Sequence, residues 1–405
     1  MSVVGRLLGL ERRAITPQNA PSLMLPADTR GASGHSVTVE TALGTADVYS
    51  CIRAITDTGS TIPLHVYQRA KDGGRSRYRV MVPGSVSYLL AKPSPHLTPS
   101  TFVETALANL NTHGIAIIAK FRDGNTTASR VSQLAFIDPR RVAVALVGGV
   151  PTYSVAPGTT DLVEGVFGPE DILHIKAMSL DGLIGLSPIA QARDALSTAM
   201  ALEDAAGRDF ANGTAPAGVI QTKAKLDDEA LDRLRRDWEA MYRGTKNRGR
   251  VAFLEDGWEW KSVSSSASDA QFVEQRRLSS TQVARIFRVP PYMIGADAGS
   301  SMTYANVEQA LTAFLTHTIR PWLVKIEEAL QADPDLFGID SDLYPEFELD
   351  AILRADAATR ANVYSVAVGR PYMTVNEARQ RENLPALPGE DGLSGDAPTP
   401  TPAAA

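Results

Sequence analysis

Two stretches of the chain, residues 187–213 and 267–289, read as single long helices, and residues 214–266 lie between them. At ~1.5 Å rise per residue, each spans on the order of 30–40 Å, the diameter of a small domain. They read as a stalk that carries residues 214–266 at its tip. The first rod opens on Ser187 as N-cap with Pro188 at the first helical position, where the missing N–H costs nothing. Its apolar positions, Ile189, Ala192, Leu196, Met200 and Ala206, make only a modest stripe. The insert reads as a small α/β unit: a strand at 218–222, a charged helix at 227–242, then strands at 251–254 and 258–263. A third long helix, 304 to about 330, carries Val307, Leu311, Phe314, Leu315, Trp322 and Ile326 on one side. Pro321 falls inside it, so a kink is expected there: proline removes one ladder bond and crowds the preceding turn.

The N-terminal half has a different rhythm. Residues 1–44, with Pro17, Pro21, Pro26 and a Gly-Ala-Ser-Gly run, read as a flexible arm. A helix should start behind Thr45, with Val48, Cys51, Ile52 and Ile55 on one face. Strands are expected at 64–68 and 77–82. A second helix capped by Thr101 and Glu104 should end near His113-Gly114. Strands at 115–122, 134–138 and 142–147 follow, with Asp171–His174 opening another. Helices mixed with hairpin-linked strands indicate an α+β domain with antiparallel pairing. Toward the C-terminus, 349–368 reads as a helix closed by Gly369, and Thr374 with Glu377 caps another reaching about Asn383. Residues 385–405, rich in Pro, Gly and Ala, read as disordered.

Composition excludes several classes. The 44% apolar and 21% charged residues are ordinary for a globular chain, and no apolar run reaches the length of a membrane span. The start, with Arg6 inside its short apolar stretch, is not expected to be a secretory signal. A single cysteine, Cys51, rules out an internal disulfide framework and a cysteine zinc site; it is expected to be a small core residue. A net charge of −6 argues against a dedicated reader of DNA sequence. No Gly-Lys pair, no His-Glu pair, no G-x-S-x-G elbow and no S-x-x-K pair occurs, so the familiar phosphate-cradling, zinc-protease and serine-nucleophile settings are missing. Asp171 and His174 make the one acid–base couple worth naming, and their apolar alternation reads as a strand instead. Asp340, Asp342, Glu346, Glu348 and Asp350 form the densest acidic group. They would be the ligands of a metal-dependent nuclease, but read first as a solvated lead-in. No cofactor, no metal site and no enzymatic activity are expected.

The order of the segments resembles the portal proteins of tailed double-stranded-DNA bacteriophages, of the siphophage type. The resemblance rests on runs in the family's order. Val48-Tyr49-Ser50-Cys51-Ile52-Arg53 leads to Ile62-Pro63-Leu64-His65-Val66-Tyr67, then Asp171-Ile172-Leu173-His174-Ile175. Asp181-Gly182-Leu183-Ile184-Gly185-Leu186-Ser187-Pro188 and Phe210-Ala211-Asn212-Gly213 come next. Phe272-Val273-Glu274-Gln275-Arg276, Phe287-Arg288-Val289-Pro290-Pro291, Thr374-Val375-Asn376-Glu377-Ala378-Arg379 and Leu384-Pro385 complete it.

The resemblance implies a homo-oligomeric ring, typically of twelve subunits, at one capsid vertex, around a channel for packaging and ejecting DNA. Residues 45–186 would be the wing, 187–213 and 267–289 the two stem helices, and 214–266 the clip. Residues 290–303 would be the tunnel loop, 304–340 the kinked wing helix and 341–384 a helical crown. The implied partners are double-stranded DNA, the major capsid protein, the terminase large subunit and a head–tail adaptor, with no membrane. The subunit would be assembled in the host cytoplasm. In the tunnel loop Asp297 is the only charge, and Gly299, Ser300, Ser301 and Met302 would face the channel. The tip has nine Lys/Arg against six Asp/Glu over 221–250, with Arg243, Lys246, Arg248 and Arg250 clustered as a docking surface for an acidic partner. The second stem carries Arg276, Arg277 and Arg285, expected to pair with Glu203, Asp204 or Asp209 of a neighbouring copy.

Overall fold

The computed structural model describes residues 30–69, 77–82, 85–124, 126, 129–158, 163–212, 219–222, 258–261, 266–296, 304–338, 341–349, 364–368 and 373–381, with isolated positions in 229–236 and 385–388. Contacts divide it into a larger unit ending at Phe347 and a smaller one beginning at Glu348.

The larger unit opens with helix α1 (Val39–Leu43) and helix α2 (Ala46–Ser60), then strands β1 (Leu64–Arg69) and β2 (Arg77–Arg79). Helices α3 (Val86–Ala91) and α4 (Pro99–His113) follow. Thr98, not Thr101, caps α4: its hydroxyl accepts from the Thr101 amide, and Pro99 takes the first helical position. Six strands come next: β3 (Ile115–Arg122), β4 (Val131–Ile137), β5 (Val142–Val147), β6 (Val150–Val155), β7 (Gly165–Phe167) and β8 (Ile172–Lys176). Every pair is antiparallel, in orders β4-β3-β8 and β5-β6-β7, as the α+β reading requires. The two sheets share one core of Ile117, Ile137, Val144, Tyr153 and Ile172. Strand β3 lies between its neighbours with α4 beside it, so its first six residues are all buried.

Three sequence expectations need correcting here. Residues 30–44, expected in a flexible arm, are folded. Ala32 N donates to Asp194 Oδ1 (3.0 Å) and Ser33 Oγ donates to the Ser197 carbonyl (2.7 Å), while His35 pairs with Asp204 at 3.6 Å. Gly31 lets the backbone approach: a Cβ there would sit 2.2 Å from Ser197 Oγ. The small residues that look like a linker are what close packing against a helix demands. Residues 343–347, expected in the crown, form strand β11 (Leu343–Phe347), paired with β1 in the order β11-β1-β2. Half-buried Tyr344 and Glu346 alternate with buried Pro345 and Phe347, a period-2 pattern that the proline and the charge obscure. In the smaller unit, helix α10 (Val375–Arg381) has the capping box expected of Thr374 and Glu377. The first residues beyond 384 are held to it: Asn376 exchanges hydrogen bonds with Leu387 (2.7 and 2.8 Å), and Arg379 reaches the Pro385 carbonyl.

Candidate functional site: the paired long helices and their anchor

Ser187 caps helix α5 (Pro188–Gln191) by accepting from the Ala190 amide, and donates its own proton to the Thr112 carbonyl (2.5 Å). The helix breaks at Ala192 and resumes as α6 (Arg193–Asn212), so the first rod is two segments. Strands β9 (Val219–Thr222) and β10 (Trp258–Lys261) pair as a hairpin between the rods. Helix α7 (Ser266–Ile286) returns alongside α6 and rests on α2. Its buried residues among those described, Ser279, Val283 and Ala284, make one stripe near its C-terminal end, and buried Phe287 just beyond the helix continues it. One turn earlier there is no buried face. Val273 through Leu278 are all exposed, with Val273 at 66% and Leu278 at 55%.

Arg276, Arg277 and Arg285 all lie on α7 and are exposed. Arg276 acts on Glu203 of the same chain. Burial raises the Glu203 carboxyl, with Asp47 adding to the rise and Arg276 opposing it. The side chain of Asp209 lies outside the described residues, as do Arg243, Lys246, Arg248 and Arg250 of the tip. Asp297, Gly299, Ser300, Ser301 and Met302 lie outside them too. The segment leading to that loop is described. Arg288 adopts a left-handed backbone (φ 56°), Val289 N reaches back to the Ala284 carbonyl (2.9 Å), and Pro291–Ile294 forms a 3₁₀ turn closed by Gly295.

Beyond it, helix α8 (Tyr304–Phe314) runs through a π-helical stretch, Leu315–Ile319, into helix α9 (Arg320–Ala332). Pro321 stands in the first turn of α9, directly after the widened turn. The wider ring makes room where the proline would crowd the preceding carbonyls. Thr318 Oγ in that stretch donates to the Arg288 carbonyl (2.6 Å), which ties the π turn to the end of α7.

A buried ionic cluster anchors α9 to the sheet, and nothing in the sequence analysis anticipated it. Lys120 Nζ donates to Asp333 Oδ2 (2.8 Å), Asp335 Oδ2 (2.9 Å) and the Pro169 carbonyl (3.1 Å). Arg122 meets Asp335 at 2.9 Å and the Glu170 carbonyl at 2.6 Å. The Lys120 side chain is fully buried, and Asp333 is 5% exposed. Burial alone would raise the Asp335 carboxyl, but hydrogen bonds from Arg122 and Lys120 outweigh it and hold it below the usual range. Two more ties join α9 to the sheets: Glu327 accepts from the Phe347 amide (2.7 Å), and Lys325 reaches the Ala177 carbonyl (3.3 Å).

His174 makes no couple with Asp171. Its Nδ1 faces the Tyr153 hydroxyl at 3.3 Å, and burial, helped by Lys176, pushes it down to about 3, so it is neutral at pH 7. The Cys51 thiol is buried and pushed up to about 12, chiefly by burial with Asp47 adding. Among the described residues, no group of three His, Cys, Asp or Glu stands close enough to hold a metal ion, and no helix is long and apolar enough to cross a membrane.

The described residues make a sheet domain with two long helices, one of them exposed around a whole turn at Val273–Leu278. The chain belongs to the phage portal protein family, whose model matches residues 46–383. It is 30% identical over 393 residues to the probable portal protein of Streptomyces phage phiC31, covering 95% of this chain and 83% of that one. It is 28% identical over 382 residues to the portal protein of Enterobacteria phage HK97, covering 94% and 88%. Among solved structures, it is similar to a chain from the neck of a native gene transfer agent particle computed with C12 symmetry. That match has a TM-score of 0.60 at 23% identity and covers 86% of this chain and 94% of that one.

Proposed function

We propose that twelve copies of this portal protein form a ring at one capsid vertex, a passive conduit for double-stranded DNA during packaging and ejection. The observation that carries the ring is the exposed turn of α7. Six consecutive residues, Val273–Leu278, are more than a full turn of helix, so the single chain leaves every face uncovered there, apolar residues included. A helix in that state is completed by neighbours.

Under this reading, α6 and α7 are stem helices, residues 214–266 a clip for the terminase large subunit and the adaptor, and 290–303 a loop at the channel. The wing, residues 45–186 with the folded segment 30–44 and strand β11 added to it, meets the major capsid protein. Assembly takes place in the host cytoplasm, and no reaction is catalysed.

A conduit must surround DNA without gripping it. If each of twelve subunits set one unpaired cation on the phosphates, binding would carry a salt slope near about −11 and act as a brake. The −6 net charge and the single charge, Asp297, in the proposed loop suit passage. Electron microscopy of the purified full chain tests the reading: rings with a central hole are expected, and a monodisperse monomer would refute it.

A further inference from the structure

The β1–β2 hairpin is strongly basic in an acidic chain. Residues 69–79 set Arg69, Lys71, Arg75, Arg77 and Arg79 against Asp72 alone, a balance of +4 where the whole chain carries −6. Strand β2 is the end strand of the sheet β11-β1-β2, and among the described residues no strand lies on its outer side. Register decides what that edge presents. Val80 N donates to the Val66 carbonyl (2.8 Å) and Arg69 N to the Asp342 carbonyl (2.9 Å), so β1 and β2 bond through Val66–Val80 and Gln68–Tyr78. The alternate pairs, Tyr67–Arg79 and Arg69–Arg77, are the narrow ones without mutual hydrogen bonds, with Cα atoms about 4.5 Å apart. The backbone N–H and C=O groups of Arg77 and Arg79 therefore point away from β1, to the open edge. Arg69 and Arg77 stand directly opposite at the closest cross-strand spacing, where like charges are destabilising. Alternation places Arg69, Arg77 and Arg79 on one face of the sheet with Tyr67 and Tyr344. The Arg69 guanidinium lies 5.3 Å over the Tyr344 ring, and Arg69 and Arg79 are exposed while Tyr67 is buried. The opposite face buries Val66, Pro345 and Phe347.

We infer that the open edge of β2 takes an extended acidic polypeptide as a fourth strand, with carboxylates at alternate positions facing Arg77 and Arg79. The inference does not rest on the ring. The backbone selects a polypeptide, because a row of outward N–H and C=O groups at a sheet edge is matched by another strand. The charge selects an acidic one: carboxylates beside Arg77 and Arg79 offset the repulsion that the hairpin by itself carries, and they steer the encounter. A guard against unwanted strand pairing needs a charge at the edge, but not like charges in the closest register. Exposed ion pairs add little affinity each, so the strand bonds hold the partner and the arginines choose it. Apolar residues between the carboxylates would continue the buried face of Val66, Pro345 and Phe347. Duplex DNA matches the charge and not the edge.

The probe is a short fluorescein-labelled peptide that alternates valine with glutamate, titrated with the full chain and followed by anisotropy. It should bind at least about tenfold more tightly than the same peptide with glutamine for glutamate. N-methylating its glutamates or, in a second peptide, its valines leaves every charge in place. One of the two should bind at least about tenfold more weakly than the parent and the other should not, because a strand added to an edge uses only one set of its alternate amides. Arg77→Glu with Arg79→Glu should lose the glutamate peptide by at least about tenfold and gain the version with lysine for glutamate. The peptide comparisons use the wild-type chain, so they decide even if this variant fails to fold. Equal affinity for the glutamate and glutamine peptides, equal affinity for the two N-methylated peptides, or a DNA duplex bound more tightly than the glutamate peptide would overturn the inference, whether or not the chain forms rings.

Discussion

Replacing Lys120 by Met keeps the side-chain length and removes the charge at the centre of the cluster joining β3 to the end of α9. The variant strips one hydrogen bond each from Asp333, Asp335 and the Pro169 carbonyl. Asp335 keeps Arg122. Asp333 keeps only the Asp335 amide, at 3.0 Å, and is 5% exposed. Breaking a buried pair by removing one partner costs about 3–5 kcal/mol, because a charge is left without compensation. The upper end is not reachable at neutral pH. A stranded carboxylate can take up a proton instead, and from the ordinary value near ~3.9 that costs about 4 kcal/mol at pH 7 and about 1.5 kcal/mol at pH 5. In the variant, folding raises this carboxyl's affinity for a proton, so its penalty grows as pH rises above the unfolded value. Lys120→Met should therefore lose about 3–4 kcal/mol at pH 7 and about 1.5 kcal/mol at pH 5. Urea unfolding of the full chain, at one fixed protein concentration, reads both values from the midpoint shift. Adding Asp333→Asn should recover at least half the loss at pH 7, since the amide oxygen can still accept from Asp335 N. A loss under about 1 kcal/mol at pH 7, or equal losses at the two pH values, would refute the claim that this cluster is a compensated buried charge.

Three further outcomes follow from single residues. With its thiol buried and pushed up to about 12, Cys51 should resist a disulfide reagent at pH 8 in the native protein and react within minutes in denaturant; prompt native labelling would show that α2 opens. Arg288 sits in the left-handed region, which costs a side-chain-bearing residue about 1–2 kcal/mol, while glycine adds back about 0.5–1 kcal/mol of chain entropy. Arg288→Gly should thus stabilise by roughly 0.5–1 kcal/mol in urea unfolding, and a destabilised variant would show that the arginine side chain matters more than its backbone. Gly31→Ala places a Cβ 2.3 Å from Ser197 Cβ, so segment 30–36 should lift from α6 and tryptic cleavage at Arg30 should quicken by about tenfold. Cleavage at the wild-type rate would mean that the segment is held elsewhere.

Local signals were legible and long-range ones were not. The Ser187-Pro188 start, the Gly114 stop and the strands Ile115–Arg122 and Val142–Val147 could be read because capping, turn chemistry and β-branched runs act within a few residues. Strand β11 escaped because its pairing partner, β1, lies some 280 residues earlier, and because Pro345 and Glu346 interrupt its short apolar run. The Lys120 cluster spans 213 residues of sequence. Its local trace is a lysine that closes the buried run Ile115–Lys120, with Arg122 two residues on, which is the pattern to look for: a charge in a buried run implies a partner elsewhere in the chain. Segment 30–44 was misread for the opposite reason, since glycine and serine signal flexibility in isolation and close approach against a helix.

Helix α7 is a different kind of case. Its weak periodicity is what the proposed ring requires of a helix that its own chain does not bury. A helix packed within one subunit must show one apolar stripe, and α7 does so only over Ser279–Phe287, where it meets its own chain. Over Val273–Leu278 apolar and charged residues are mixed around the circumference, as they must be if different faces meet different copies. Arg285, exposed on α7, is the position where charge reversal separates ring assembly from DNA passage. Arg285→Glu should weaken rings if this residue faces a copy, and should leave rings intact while altering the salt dependence of DNA retention if it faces the channel.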